Sequence, residues 1–118
     1  IVVYRSGIVD RFTEFGKLLW TRDVRVPTGC AVLVQRWLWL GCADGYIRVL
    51  DGVSGDPAPA ATAAAAAAGG RKWPAHHSRV KNMTLLGGLV FSLGADGSVK
   101  GWPGVQPPPP KAIAHWKV

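Results

Sequence analysis

The sequence predicts an all-β fold built from a repeated hairpin, and three observations carry that reading. The first is the stretch Leu89-Val-Phe-Ser-Leu-Gly-Ala-Asp-Gly-Ser-Val-Lys-Gly-Trp102. Val90 and Ser92 alternate with Leu89, Phe91 and Leu93 as in a short, largely buried strand. Asp96-Gly97 tolerates the positive φ of a tight turn, and Ser98 to Trp102 runs back with Val99 and Lys100 on opposite faces. The second observation is that this hairpin recurs at Leu38-Trp-Leu-Gly-Cys-Ala-Asp-Gly-Tyr-Ile-Arg-Val-Leu-Asp51. There Trp39, Asp44, Ile47, Arg48 and Leu50 stand where the other copy has Phe91, Asp96, Val99, Lys100 and Trp102. The third is a weaker copy over Ser6–Phe12, with Ser6 at the position of Asp44 and Phe12 at that of Leu50. Asp44 lies 38 residues after Ser6, and Asp96 lies 52 residues after Asp44. Removing an insertion of roughly 14 residues equalises the two intervals, close to the ~40–45-residue period of a propeller blade. An Ala-rich tract of about that length lies between the second and third copies.

Taken in order, Ile1–Tyr4 is β-branched and aromatic and reads as the end of a strand. Gly7–Phe12 forms the strand of the weak repeat, Glu14–Lys17 turns the chain, and Leu18–Trp20 makes an outer strand. Val24–Gly29, with Pro27 and Gly29, is a loop between repeats. Cys30–Val34 and Leu38–Cys42 are strands joined at Gln35-Arg36, and the hairpin to Leu50 follows. Residues 55–70 are low in complexity, and their alanine run is shorter than the ~12–15 residues an isolated helix needs in water. This tract reads as a disordered surface loop after the third strand of a blade, where loop entropy tolerates an insertion. Arg71–Trp73 resumes the outer strand, Pro74–Ser78 is a loop, and Arg79–Leu85 is the innermost strand of the next blade. Pro107–Pro110 reads as a stiff linker, with Ile113 and Trp116 hinting at a further strand. The organisation is blade segments over 1–54, an Ala-rich insertion over 55–70, a further blade over 71–104, and a Pro-rich exit and tail over 105–118. The fold class is therefore a partial β-propeller of about two and a half blades. So few blades cannot close a ring, and the only methionine is Met83, so further blades are expected before Ile1.

Fourteen Lys and Arg against seven Asp and Glu give a net charge of +7. Such a balance suits anionic partners, but the basic residues are spread from Arg5 to Lys117 rather than clustered. The plainer reading is one part of a larger, more neutral surface. Cys30 and Cys42 offer neither a metal spacing nor a disulfide framework. Both fall in expected strands, as buried reduced thiols would, which favours an intracellular, cytoplasmic setting. No apolar run is long enough to span a bilayer.

The pattern Trp73-x-Ala75-His76, Val80, Leu89-Val-Phe-Ser-Leu93 and Asp96-Gly-Ser-Val-Lys-Gly-Trp102 resembles a WD40 repeat. More narrowly, it resembles the WD40 region that precedes the catalytic domain in plant-type (type II) inositol polyphosphate 5-phosphatases, over most of residues 6–104. The resemblance implies a regulatory or targeting propeller beside a phosphatase domain. It also implies a hydrogen-bonded set of loop His, strand Ser or Thr, turn Asp and strand Trp, which His76, Asp96 and Trp102, with Asp44 in the preceding repeat, would supply. Two before each turn Asp, however, stand Gly94 and Cys42 rather than Ser, and Leu50 replaces Trp. The expected network is thus incomplete and leaves stability to packing. The exit Pro103-Gly-Val-Gln followed by four prolines also departs from the family's proline-glycine-proline-leucine-aspartate. Its catalytic signatures, Gly-Asp-x-Asn and Ser-Asp-His, are absent.

Catalytic residues are accordingly expected to be none. Asp44 and Asp96 sit one per hairpin turn, where acids form turns, rather than converging as acid–base catalysis demands. Adjacent His76 and His77 point apart on an extended loop and make no metal site. His76 is better read as a structural hydrogen-bonder and His77 as exposed. No cofactor is expected here; Mg²⁺ enters only with a phosphatase domain that follows. The tryptophans Trp20, Trp37, Trp39, Trp73, Trp102 and Trp116 could stack on bases, but strand alternation assigns most of them to the core. Arg48 and Lys100, at one position of two repeats, are candidate surface binders together with Arg79 and Lys81, although such residues are more often plain solvated faces. Protein partners are expected on the propeller surface. The alternatives are a stand-alone WD40 scaffold protein, or a basic surface for phosphoinositide, anionic membrane or RNA; DNA is not expected.

Overall fold

The computed structural model describes residues 1–58 and 71–104, together with the backbone of 114–117. Among the described residues eleven strands form three antiparallel sheets. The first holds β1 (Val2–Val3), β2 (Ile8–Phe12) and β3 (Leu18–Asp23). The second runs β4 (Thr28–Val34), β5 (Trp37–Cys42), β6 (Tyr46–Asp51) and β7 (Lys72–Pro74). The third runs β8 (Val80–Leu86), β9 (Leu89–Gly94), β10 (Ser98–Pro103) and β11 (Ala114–Lys117). Each sheet is a simple meander, so sequence neighbours are spatial neighbours, as in a chain of hairpins. The 52-residue offset between the two stronger repeats holds over their first three strands: Thr28 matches Val80 at the starts of β4 and β8, and Gln35 matches Gly87 in the following turns.

The hairpin turns lie where the sequence places them. Gly7, Gly45 and Gly97 all adopt positive φ, at 101°, 85° and 88°. A Cβ on Gly45 would collide with the carbonyl oxygen of His76 and come within 2.8 Å of that of Ser78. Glycine is required there on both counts. The Gly45 carbonyl in turn accepts from the N–H groups of both Ala75 and His76, at 3.0 Å each. The first hairpin is built alike, with Val24 N–H donating to the Gly7 carbonyl at 3.0 Å and no space for a Cβ beside Val26. Each turn thereby fixes the loop that leads into the next sheet.

Several boundaries differ from the sequence expectation. The outer strand of the first sheet continues to Asp23, because Thr21, Arg22 and Asp23 pair with Asp10, Val9 and Ile8 on an edge where polar side chains face out. β4 starts at Thr28, not Cys30, and carries a bulge between Thr28 and Cys30. The low-complexity tract begins later than expected. Pro57 bridges Leu50, Ala58 is buried, and Ala58 N–H donates to the Val49 carbonyl at 2.9 Å. Ala58 fits that site because alanine carries so little side chain. Arg71 N–H then donates to the Ala58 carbonyl at 3.1 Å, so the chain re-enters the sheet beside the point where it left. The expected loop over 59–70 and the proline run at 107–110 lie outside the described residues. The tail does not simply exit: β11 pairs with β10 in register Val99–Trp116 and Lys100–His115. Ile113 lies outside the described residues.

Two apolar clusters lie between the sheets. The first and second sheets bury Val9, Leu38, Leu40, Cys42 and Leu50, with Val24 and half-buried Trp20 packed against them. The second and third sheets bury Trp39, Ile47, Val49, Trp73, Val80, Val90 and Trp102. Trp39 meets Trp73 edge-on at 5.3 Å between centroids, and Trp73 meets Trp102 at 5.4 Å. Trp37 is also buried, so four of the six tryptophans belong to the interior. The side chain of Trp116 lies outside the described residues. Arg36 pairs with Asp51 across the second sheet.

Glycine substitutions separate conformational strain from collision. Gly16 also has positive φ, but open space surrounds it. Gly16→Ala should cost about 1 kcal/mol, whereas Gly45→Ala should cost more than about 3 kcal/mol. Urea denaturation of the two variants reads the contrast.

Candidate interaction surface

The Asp-Gly turns and the loops between sheets meet at one end of the sheets, and two features there arise directly from the sequence. The first is a buried polar relay in the third sheet. Trp102 Nε1–H donates to Ser92 Oγ at 2.8 Å, and Ser92 Oγ lies 2.7 Å from His76 Nε2. His76 Nδ1 lies 2.7 Å from Ser98 Oγ, which donates to Asp96 Oδ1 at 2.8 Å. The proton positions follow from what each group can do. Indole N–H only donates and carboxylate only accepts, so each serine has its role fixed at one end. Ser98 spends its proton on Asp96 and so accepts from His76 Nδ1–H, and in the neutral form of the ring Nε2 accepts the Ser92 hydroxyl proton. The relay therefore runs in one direction, from Trp102 to Asp96.

The expectation of an incomplete network does not hold in the third sheet. The strand hydroxyl comes from Ser92, and Ser98 bridges imidazole to carboxylate. Gly94 has a steric reason: a Cβ there would sit 2.9 Å from His76 Nδ1 and 2.8 Å from Asp96 Oδ1. Asp44 is not part of this relay. In the second sheet the equivalent positions are Val24, Leu40 and Leu50, all within an apolar cluster. No relay of this kind forms in that sheet among the described residues. Asp44 instead binds Arg48 through both carboxylate oxygens at 3.0 Å. Partial burial raises the Asp44 pKa, but Arg48 and the Tyr46 N–H outweigh it and hold the carboxyl below its ordinary 3.8.

The second feature is a cleft of about 420 Å³ lined by Arg5, Pro27, Thr28, Gly29, Ala43, Arg79 and Val80. It lies where β4 and β8 run side by side, next to the bulge at Thr28–Cys30 in β4 and its counterpart at Val80–Asn82 in β8. Bulges leave backbone groups outside the ladder. Among the described residues no carboxylate lines the cleft, and neither Arg5 nor Arg79 makes an ion pair. Of the sequence-predicted surface residues, only Arg79 lines it; Arg5 is a residue the sequence reading missed. Lys81 is exposed at the bulge in β8, Lys100 is half-buried on β10, and Arg48 is engaged by Asp44.

Both cysteines are free. Cys42 is buried, and Cys30 is only half-buried, which corrects the expectation of two buried thiols. Burial, reinforced by the charge of Cys42, pushes the Cys30 thiol up to about 11. Such a thiol is a poor nucleophile at neutral pH. Among the described residues no three His, Cys, Asp or Glu side chains converge as metal ligands. Nor is any helix among them long and apolar enough to cross a membrane.

The topology matches a solved propeller structure. BamB from Moraxella catarrhalis, a β-propeller, superposes with a TM-score of 0.74 over 98% of this chain and 32% of its own, at 13% identity. The fold is β-propeller-like. The computationally designed Ika8 protein superposes with a TM-score of 0.65 over 84% of this chain and 28% of its own, at 23% identity. In sequence, the chain is 30% identical over 107 residues to the type I inositol polyphosphate 5-phosphatase 13 of Arabidopsis thaliana. That alignment covers 88% of this chain but 8% of the relative. The relative carries the type I designation rather than the expected type II. No family profile matches the chain.

Two outcomes follow from the polar groups. Ser92→Ala strands the Trp102 N–H and the His76 acceptor in the interior and should cost about 3 kcal/mol in urea denaturation. Asp44→Asn should cost less than about 1 kcal/mol at neutral pH, because the pair is partly solvated. The folded carboxyl lies below 3.8, so the pair stabilises above that pH and is lost as pH falls through the folded value. The stabilities of Asp44→Asn and the parent should therefore converge in acid.

Proposed function

We propose that this chain is a non-catalytic WD40-type propeller segment acting as a protein-interaction platform. We further propose that it serves as the regulatory or targeting part of an inositol polyphosphate or phosphatidylinositol 5-phosphatase whose catalytic domain lies outside these residues. The observation that carries the reading is the 30% identity to a plant 5-phosphatase along 88% of this chain. The repeated Ala-Asp-Gly hairpins and the relay ending at Asp96 support the WD40 assignment. A relay whose members all bond to one another is suited to stiffness rather than to turnover, since it leaves no nucleophile exposed. The cleft with Arg5 and Arg79 gives the platform a basic contact point for a partner's carboxylates. Free thiols fit an intracellular setting, and Mg²⁺ would belong to the phosphatase domain.

The test is a 5-phosphatase assay with Mg²⁺ on inositol phosphates and phosphoinositides, using the isolated chain and a polypeptide in which it is joined to its enzyme domain. Activity in the joined protein, none in the isolated chain, and an unchanged kcat on soluble substrate after Arg5→Ala and Arg79→Ala are expected. A well-folded joined protein with no activity would overturn the 5-phosphatase reading. Activity in the isolated chain would overturn its non-catalytic role.

A further inference from the structure

The three sheets differ at their inner edges. The second and third have four strands each and begin with β4 and β8, whereas the first has three and begins with β1. β1 corresponds to β5, not to β4. The 38-residue offset that sets Ser6 on Asp44 also sets Val3 on Gly41 and Val9 on Ile47, and each of these pairs is a register partnership in its own sheet. Among the described residues no strand of the first sheet takes the place of β4. The edge left open carries unpaired backbone. Tyr4 N–H donates to the Ile8 carbonyl at 2.8 Å. Bonded and non-bonded pairs alternate along an antiparallel ladder, so the neighbouring Val3 turns its N–H and C=O away from β2. Neither has a backbone partner among the described residues, although Val3 is half-buried in the cluster between the first and second sheets.

Beside that edge lies a pocket of about 270 Å³ whose walls are all apolar: Ile1 and Val3 on one side, Ala31, Val32, Leu33 and Leu38 on the other. The next pair of sheets shows what such a place holds. There β4 lies along β8, and its alternate residues Cys30, Val32 and Val34 cover Met83, which is 7% exposed. Ala31 stands 52 residues before Met83, at the equivalent position of β4, and is exposed. A small apolar molecule would fill the pocket but leave the Val3 groups unpaired. An extended strand answers both needs, because its backbone pairs with the edge while alternate side chains enter the pocket. The two strands of this kind within the chain, β4 and β8, are already built into sheets.

We propose that the open edge of β1 and the adjoining pocket form a docking slot for one extended polypeptide strand from outside these residues, apolar at alternate positions. The strand runs antiparallel to β1 and pairs with Val3 as Cys30 pairs with Gly41 in the second sheet. Its apolar side chains lie over Ala31 and Leu38. The inference deepens the platform reading, on which it rests, by naming the kind of partner, and it does not depend on the 5-phosphatase assignment.

The probe is a synthetic peptide with the sequence of Thr28–Val34, flanked by lysines for solubility and added to the full chain labelled with nitrogen-15. Saturable binding by calorimetry is expected, and exchange of the Val3 amide proton should slow at least about tenfold as it enters the ladder. The same peptide carrying Val32→Asp and Val34→Asp should bind at least about tenfold more weakly. In the chain itself, Ala31→Lys at its exposed position should have an effect of similar size, about tenfold. Leu86→Lys, exposed on the third sheet, should change affinity by less than about twofold. If Ala31→Lys unfolds, protection of the Val3 amide in the parent chain still decides. No peptide binding, binding that leaves the Val3 amide unprotected, or equal loss with Leu86→Lys would overturn the proposal. So would a parent chain that sediments as a dimer with Val3 already protected, because a second copy would then fill the slot. An active joined phosphatase whose propeller segment binds no peptide would remove the slot and leave the 5-phosphatase assignment standing.

Discussion

The contact on which the structure turns is the seating of one hairpin against the loop that follows its sheet. Gly45 accepts two hydrogen bonds from Ala75 and His76 and presses against the backbone of His76 and Ser78 so closely that no side chain fits. This contact fixes where the chain enters the third sheet. It thereby sets β8 beside β4 and the third sheet over the tryptophans of the second. It also delivers His76, with its backbone already bound, into the interior beside Ser92 and Ser98. Packing and polar order both depend on this one approach of backbone to backbone, and Gly7 repeats it for the first sheet.

The same scaffold position is filled in two chemically opposite ways. In the third sheet it holds an imidazole, two hydroxyls, an indole and a carboxylate, each serving the next. In the second it holds Val24, Leu40 and Leu50 within an apolar cluster. In the third sheet these polar groups satisfy one another; in the second, apolar side chains take the His, Ser and Trp positions, and the turn Asp44 pairs with Arg48 instead. This explains why Leu50, which departs from the repeat pattern as a sequence feature, accompanies Leu40 rather than a serine.

The hairpin repeat was readable because turn chemistry is local. Asp-Gly at 44–45 and at 96–97 specifies the backbone by itself, and alternation around it places the strands. Edge strands were less legible. Thr21 to Asp23 are polar, and their strand state depends on partners in β2 rather than on their own propensity. Ala58 was hidden inside a low-complexity composition, since nothing local distinguishes it from the alanines that follow. The relay was half legible: His76, Asp96 and Trp102 follow from pattern, but Ser92 and Ser98 follow only from which strand faces the imidazole. The slot beside β1 was not legible at all. Val3 lies far in sequence from Ala31 and Leu38, and only the packing of the first sheet on the second brings them to one pocket.

The central claim is that a directed relay, anchored by the Gly45–His76 contact, organises the loop end. Nitrogen-15 NMR of the His76 ring tests it most directly, because the two ring nitrogens resonate far apart when one is protonated and the other is not. The account predicts a neutral ring with its proton on Nδ1, and a hydroxyl proton on Ser92 slowed in exchange by its bond to Nε2. A proton on Nε2 instead would reverse the order of donors and contradict the relay.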